Sequence, residues 1–577
     1  QLGRQGLEAI EGEFALVVWD GPGKRLWAQR DPMGCWPLFW STRKGAVAVS
    51  TSLGALVDEQ PGRSFNLDAL AEFLMQPTPA DELASEETAF QGVQRVRPGT
   101  IVELTTTGAV RRHVYWDWDS RIGRTEVATL EEAGAGFAWR LRQAVQQRVP
   151  ERGHLAAHLS GGMDSSSIVC LARDVVSARS GSPLFTLSLV YRRRSLAGER
   201  AYMDQVLSQG GPLAPQFLEG DQALFFDWFE RGLPHHEEPC GVLPSMPPRR
   251  LLVEAADRLG AAMILSGEGS DEIVTFQPYH LADLLRRGRW LTALKEASRW
   301  SLGRRFALGS VFQYYGLVPL CPLWSREGWG PLFRNGYGTW PRLGLFSVPP
   351  WVRPEFARRH HLRERGRAHA RRIFADPSEV SWRSFTLQTS SGDWERWHLA
   401  APLGLNLSHP FRDPRLIRFT LGLPRRIRGV PGMVKPVLET AMRGVLPAEI
   451  LTRKWNTGFD DVYGLGLRRN LPSLEQLILN ENLGELGIID TRKLIPILHQ
   501  AALGIGDTQA TDRLDKTLAL AAWIAQFEGR RTTGETDQTR WLDREQAGPW
   551  SDIAAEQARS DAANLAPAER ALVRSCR

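Results

Sequence analysis

The sequence predicts an α/β protein built in two parts. A β-rich N-terminal region of short, layered strands comes first. A doubly wound parallel sheet with a helical C-terminal part follows. Three observations carry this reading. The first 118 residues hold β-type runs broken by turn signals. Further along, apolar strands alternate with helical patterns. Two of those strands end in short turns rich in Gly, Ser and acids.

The β-rich part reads EFALVVWD (13–20), RLWAQRD (25–31), PLFWST (37–42) and AVAVSTS (46–52), separated by GPGK, DPMG and RKG. The stretch DSRIGRTE (119–126) is polar and reads as a linker, taken to extend to residue 130. Phe137, Leu141 and Val145 then recur every four residues, the mark of an amphipathic helix. HLAAHL (154–159) leads into a helix from about Met163, and LFTLSLV (184–190) into another near Glu199. AAMILS (261–266) follows a helix expected over 249–259. Residues 276–530 look mainly helical, with Pro-rich breaks such as VPPWVRP (348–354), and the tail from 531 to 577 is polar.

Composition narrows the classes. A chain of 577 residues needs more than one core, and its 42% hydrophobic and 24% charged content is that of an ordinary globular protein. The net charge of +6 comes from scattered arginines, which fits a solvated basic surface or an acidic ligand such as ATP or an acidic peptide. No zinc spacing, RNP signature or basic heptad speaks for nucleic acid. The 5 cysteines are odd in number and widely spaced, neither a disulfide framework nor a CxxC site, which fits a reducing cytoplasm. No apolar run approaches a membrane span; Leu518 to Ala525 reads as a core helix. No signal peptide is visible, and the first residue is Gln1.

The first turn, SGGMDSS (160–166), follows a strand and opens a helix. Two glycines allow a tight turn, and the free N–H groups and positive end of the helix point above the strand. That is a cradle for phosphate, with Ser160, Ser165 and Ser166 adding hydroxyl donors. Asp164 would repel an anion unless Mg²⁺ lay between them. The same residue types also cap ordinary helices. The second turn, SGEGSDE (266–272), repeats the design after AAMIL. Asp271 would be a second metal ligand opposite Asp164, and Glu268 a base or hydrogen-bond acceptor. In open α/β sheets, ligands bind at the carboxyl ends of strands, where both turns lie. His235 to Glu238 (HHEE) reads as a plain loop rather than a metal site, and Trp382, Trp394 and Trp397 as core.

SGGMDSS resembles the pyrophosphate loop of the ATP-pyrophosphatases in the form used by the asparagine synthetase superfamily, and SGEGSDE its second nucleotide and metal motif. EGEFALVVWD…RDPMGCWPLFW (11–40) and PGTIVEL…YWDW (98–118) resemble that family's N-terminal glutamine amidotransferase domain, an Ntn-type fold. HPFRDPRLIRFTLGLP (409–424) and KPVLETAMRGVLPAEILTRKWNTGFDD (435–461) resemble its C-terminal helical segments. The resemblance implies an incomplete amidotransferase-like domain at 1–118, a linker at 119–130, an ATP-pyrophosphatase domain at 131–530 and a polar tail. It implies adenylation: a carboxylate attacks ATP and an amine then displaces AMP. Ser160, Gly161, Gly162, Asp164, Ser165 and Ser166 would cradle pyrophosphate; Leu187, Ser266 and Gly267 would contact the nucleotide; Asp164 and Asp271 would hold Mg²⁺.

Two positions depart from the family. Its amidotransferase works through an N-terminal Cys, and no cysteine stands at the start here. Either the sequence begins inside the domain or this member makes no ammonia. The family also carries a Lys three residues before the Phe of its last motif. With Phe459 as that Phe, the position is Asn456, and Lys454 lies two residues earlier, either as a substitute or as half of a structural ion pair. The segments 278–300, 349–368 and 394–411 resemble lasso-peptide macrolactam synthetases. That likeness implies a precursor peptide as substrate, with a leader-binding protein and a leader peptidase as partners. Asparagine synthetase and a β-lactam-synthetase-like cyclase are the alternatives.

Overall fold

The computed structural model describes residues 3–43, 46–58, 64–75, 85–179, 183–192, 198–228, 236–304, 307–320, 348–374, 392–453, 458–480, 482–505 and 508–533. Residues 1–523 form one compact unit and 524–577 a second.

Among the described residues, seven strands build the N-terminal region: β1 (Ala15–Asp20), β2 (Arg25–Arg30), β3 (Phe39–Arg43), β4 (Ala46–Ser50), β5 (Gln94–Arg95), β6 (Thr100–Thr105) and β7 (Val110–Val114). They form two antiparallel sheets, ordered β1-β2-β6-β7 and β4-β3-β5. Strand alternation sorts the side chains. Val102 and Leu104 of β6 join Ala28, Leu38, Trp40 and Val96 in one core, while Ile101 packs with Leu7 and Tyr115 on the other face. The β1–β2 turn closes where Asp20 accepts from the Gly23 N–H at 3.0 Å and from the Arg25 guanidinium at 2.8 Å.

The third sheet is wholly parallel. Its strands are β8 (His154–His158), β9 (Leu184–Val190), β10 (Leu213–Glu219), β11 (Ala261–Leu265) and β12 (Asn406–Ser408), in the order β10-β9-β8-β11-β12. The chain winds outward from β8 through β9 to β10, then crosses to β11 on the other side. The order therefore reverses between β8 and β11, and the crevice at such a reversal is where ligands bind. The expected strands 154–159, 184–190 and 261–266 all fall in this sheet. β12 was not foreseen: three residues carry no periodic signal, and only pairing with β11 makes them a strand.

Helices cover the sheet. α1 (Leu130–Gln146) is the predicted amphipathic helix; Thr129 caps it by accepting from the Glu132 N–H at 3.1 Å. Phe137, Leu141 and Val145 are each 0% exposed. They share one core with Leu155 and Ala157 of β8 and Ile168 of α2 (Met163–Arg179). α3 (Glu199–Leu207) follows β9. α4 (Met246–Arg258) starts earlier than expected, because Pro247 and Pro248 stand in its first turn, where no N–H partner is lost. α5 (Ser270–Val274), α6 (Pro414–Gly422) and α7 (Pro436–Ala441) complete the surroundings of the crevice. In the predicted linker, Trp118–Arg121 forms a helical turn, and Thr125 donates from its N–H to the Gly422 carbonyl at 2.8 Å. No helix among the described residues is long and apolar enough to cross a membrane. The tail from 534 on lies outside the described residues.

Candidate active site

β8 ends at His158, and Ser160 to Gly162 turn the chain into α2. Gly161 sits at φ +77, and a β-carbon there would lie 2.9 Å from Tyr202 Cβ and 3.0 Å from the Glu199 carbonyl. Both conformation and space therefore require glycine. Ser165 Oγ accepts from the Ser160 N–H at 3.1 Å and bonds Ser160 Oγ at 2.9 Å, which ties the turn to the first turn of the helix. The leading N–H groups of a seventeen-residue helix are left facing the crevice. Ser166, in the first turn of α2, is fully buried, and its hydroxyl has no hydrogen-bond partner among the described residues.

The second turn leaves β11 at Ser266. Gly269, at φ +91, is the αL residue from which α5 starts. Gly267 is where the two turns touch: a β-carbon on it would lie 2.7 Å from the Ser165 nitrogen and 2.9 Å from the Asp164 carbonyl carbon. Ser270 Oγ crosses the same seam and donates to Asp164 Oδ1 at 2.7 Å.

Asp164 and Asp271 are brought together by a residue not singled out in the sequence. Lys435 Nζ donates to Asp164 Oδ1 at 2.7 Å and Oδ2 at 2.5 Å, and meets Asp271 Oδ1 at 2.8 Å. Lys435 is 5% exposed. Burial alone would strip its proton, but Asp164 and Asp271 overcome that and hold the ammonium charged, above the usual lysine range. Burial pushes the Asp164 carboxyl up and Lys435 pulls it down; the bifurcated contact is that of a carboxylate on an ammonium. A signal was present in the sequence. Lys435 precedes Pro436 at the N-terminal end of α7, where the helix dipole disfavours a cation.

Glu268 faces the same crevice between two arginines. Arg412 Nη2 donates to Oε1 at 2.8 Å and Arg249 Nη1 to Oε2 at 3.3 Å; Arg249 also reaches Glu395 at 2.6 Å. Burial opposes ionisation, yet Arg412 and Arg249 hold the Glu268 carboxyl well below the usual range. Of its two expected roles, a permanently ionised acceptor fits this geometry better than a base. Ser266 Oγ lies 2.6 Å from His409 Nδ1, and His409 Nε2 lies 3.0 Å from Asp393 Oδ2. β12 explains this contact: Ser408 pairs with Leu265, so the next residues of both strands stand side by side.

Leu187 lies on β9, 1% exposed, with its carbonyl taken by the Leu159 N–H at 2.9 Å. Lys454 and Asn456 lie outside the described residues. Arg453, just before them, donates to Glu199 Oε2 at 2.8 Å and reaches the Gly161 carbonyl at 3.5 Å. In the HHEE segment, Glu237 accepts from the Leu53 N–H at 2.8 Å and Glu238 from the Ala89 N–H at 2.9 Å, so both bind the N-terminal region.

The crevice thus presents helix N–H groups for an anion, paired carboxylates around one cation, and a buried polar chain beside them. Two family models match the chain: asparagine synthase over residues 136–525 and a glutamine amidotransferase domain over 1–116. An amidase of Penicillium rubens, chyE, is 29% identical over 294 residues, covering 48% of this chain and 41% of the amidase. A putative glutamine-hydrolysing asparagine synthetase of Mycobacterium tuberculosis is 24% identical over 476 residues, covering 78% of this chain and 67% of its own. Asparagine synthetase 3 of Bacillus subtilis is 22% identical over 467 residues, with the same coverage of 78% and 67%.

Proposed function

The chain belongs to the asparagine synthase family, and from that membership we propose that it is an ATP-dependent ligase that adenylates a carboxylate and forms an amide. The observation that carries the reading is the seam at Gly267, where both loops and Lys435 converge at the carboxyl ends of β8 and β11. A carboxylate oxygen attacks the α-phosphorus and pyrophosphate leaves toward the start of α2. Its charge is met by the leading N–H groups of α2, beside a turn that the Ser160–Ser165 hydrogen bonds fix before the reaction begins. Lys435 holds Asp164 and Asp271 in place. The carboxyl oxygens of those two residues already converge on a cation, a donor set that suits Mg²⁺. When bound, Mg²⁺ would offset charge on the phosphates. Glu268, kept ionised, accepts a hydrogen bond from the incoming amine.

For the substrate, we propose an Asp or Glu side chain of a precursor peptide, joined to the peptide's own N-terminal amine to close a macrolactam. The support is the resemblance of 278–300, 349–368 and 394–411 to lasso-peptide synthetases. The last of these segments supplies Glu395 and His409 at the crevice. A leader-binding protein, a leader peptidase and a cytoplasmic setting belong to this proposal. Asparagine synthesis is the second reading, favoured by the names of the Mycobacterium and Bacillus relatives. The purified chain is given ATP with either leader-free linear precursor or aspartate plus ammonia. A dehydrated peptide with AMP and pyrophosphate supports the cyclase, and asparagine with AMP supports the second reading. No AMP from either set refutes the ligase.

A further inference from the structure

We propose that His409 is the proton acceptor for the attacking amine, working through the Ser266 hydroxyl, with Asp393 fixing its tautomer. The proposal rests on the ligase reading and adds to it the residue that removes the amine's proton.

The hydrogen bonds allow one polarity. Asp393 accepts only, so His409 Nε2 carries the hydrogen at the 3.0 Å contact. Nδ1 is then the lone pair, and Ser266 Oγ donates to it at 2.6 Å. Ser266 Oγ in turn accepts from the Glu268 N–H at 3.2 Å, which leaves it one further lone pair. This is the order of a serine activated by histidine and carboxylate, with the two ring nitrogens exchanged. Ser266 begins at the carboxyl end of β11, beside the Asp164 seam.

Three other acids of the crevice are already committed. Glu268 is ion-paired to Arg412 and Arg249, and Asp164 and Asp271 to Lys435. His409 is faced by Asp393, Glu268 and His158, the last held neutral by burial. Burial would raise the Asp393 carboxyl, but His409 foremost, and then Arg396 and Arg412, bring it below the usual range, so that it stays ionised.

The tautomer is anchored from the N-terminal region. Arg396 pairs with Asp393 at 3.1 Å and donates to Glu13 Oε2 at 2.5 Å. The Gly392 N–H donates to the Met33 carbonyl at 3.1 Å, and Trp397 Nε1 to the Cys35 carbonyl at 2.7 Å. The amidotransferase-like region thereby holds the segment that orients His409.

In the step itself, the amine nitrogen bonds to the acyl carbon. The carbon–oxygen bond to phosphate breaks, and AMP leaves with the electron pair. The surplus amine proton passes to Ser266 Oγ as the serine proton passes to His409 Nδ1.

The test uses the full chain and His409→Gln. Pyrophosphate exchange into ATP is measured with an N-acetylated linear precursor, which cannot cyclise, or with aspartate, and so reports adenylation alone. Amide formation is measured with the free amine and with hydroxylamine, a nucleophile largely neutral at pH 7. The expected result is exchange within about threefold of wild type. Amide formation falls by about a hundredfold or more with both nucleophiles. Asp393→Asn gives the same pattern more weakly. Unchanged amide formation in His409→Gln overturns the proposal. So does equal loss of exchange and amide formation in both variants. If wild type shows no exchange with either carboxylate, the ligase reading itself falls.

Discussion

Gly267 and Ser165 meet through their backbones: a β-carbon on Gly267 would stand 2.7 Å from the Ser165 nitrogen. Two loops that begin a hundred residues apart in the chain are therefore in register only while residue 267 has no side chain.

Gly267→Ala is expected to force this seam open. The clash is with backbone, which cannot swing aside as a side-chain tip can. Overpacking of this kind costs about 1–3 kcal/mol, and the larger effect falls on the site. Pyrophosphate exchange is expected to drop by about tenfold or more while thermal unfolding shifts by a few degrees. Wild-type exchange in this variant contradicts the seam.

Lys435→Met removes the cation between Asp164 and Asp271. Breaking a buried pair costs about 3–5 kcal/mol, so the unfolding midpoint in urea should fall. The exposed end of the pair, Asp271, leaves the variant's carboxylates open to solution cations. Calorimetry with Mn²⁺ is expected to show tighter binding than in wild type, alongside at least hundredfold slower turnover. Unchanged Mn²⁺ affinity would mean that Lys435 does not compete for that position.

Glu268 is held ionised by Arg412 and Arg249. Its carboxyl should therefore contribute no titration to the pH–rate profile between about pH 5 and 9. Glu268→Gln, which removes one negative partner from Arg412 and leaves Arg249 with Glu395, is expected to slow amide formation by about a hundredfold without adding or removing a limb of that profile.

Glu13 tests the contact between the N-terminal region and Arg396. Burial would raise its carboxyl, but Arg396, Arg148 and Ser408 bring it down to about 2 from 4.5. A carboxyl lowered on folding stabilises above its unfolded value, and that contribution is lost as pH falls through the folded one. The window is thus about pH 4.5 to 2, and the full contribution is about 3 kcal/mol. Glu13→Gln should be less stable than wild type at pH 6, and the gap should close toward pH 2. Parallel stability curves across that window would contradict the pairing.

Most of the sheet was legible because its signals are local. HLAAHL, LFTLSLV and AAMIL are apolar runs bounded by turn chemistry, and each turn carries its function within seven residues. Phe137, Leu141 and Val145 announced α1 by spacing alone. What stayed hidden depends on long-range closure. Lys435 reaches Asp164 across 271 residues, Arg412 reaches Glu268 across 144, and His409 reaches Ser266 across 143. No window of sequence holds both members of such a pair. β12 was invisible for the same reason, since its three residues become a strand only beside β11, and with it goes the placement of His409.

The most direct test follows heavy oxygen from the substrate carboxylate. Linear precursor and aspartate, each labelled at the carboxyl oxygens, are incubated in turn with ATP and the full chain, and the nucleotide product is analysed by mass. An adenylating ligase transfers one labelled oxygen to AMP with either active substrate. ADP with label in inorganic phosphate would mean attack at the γ-phosphorus and would contradict the account.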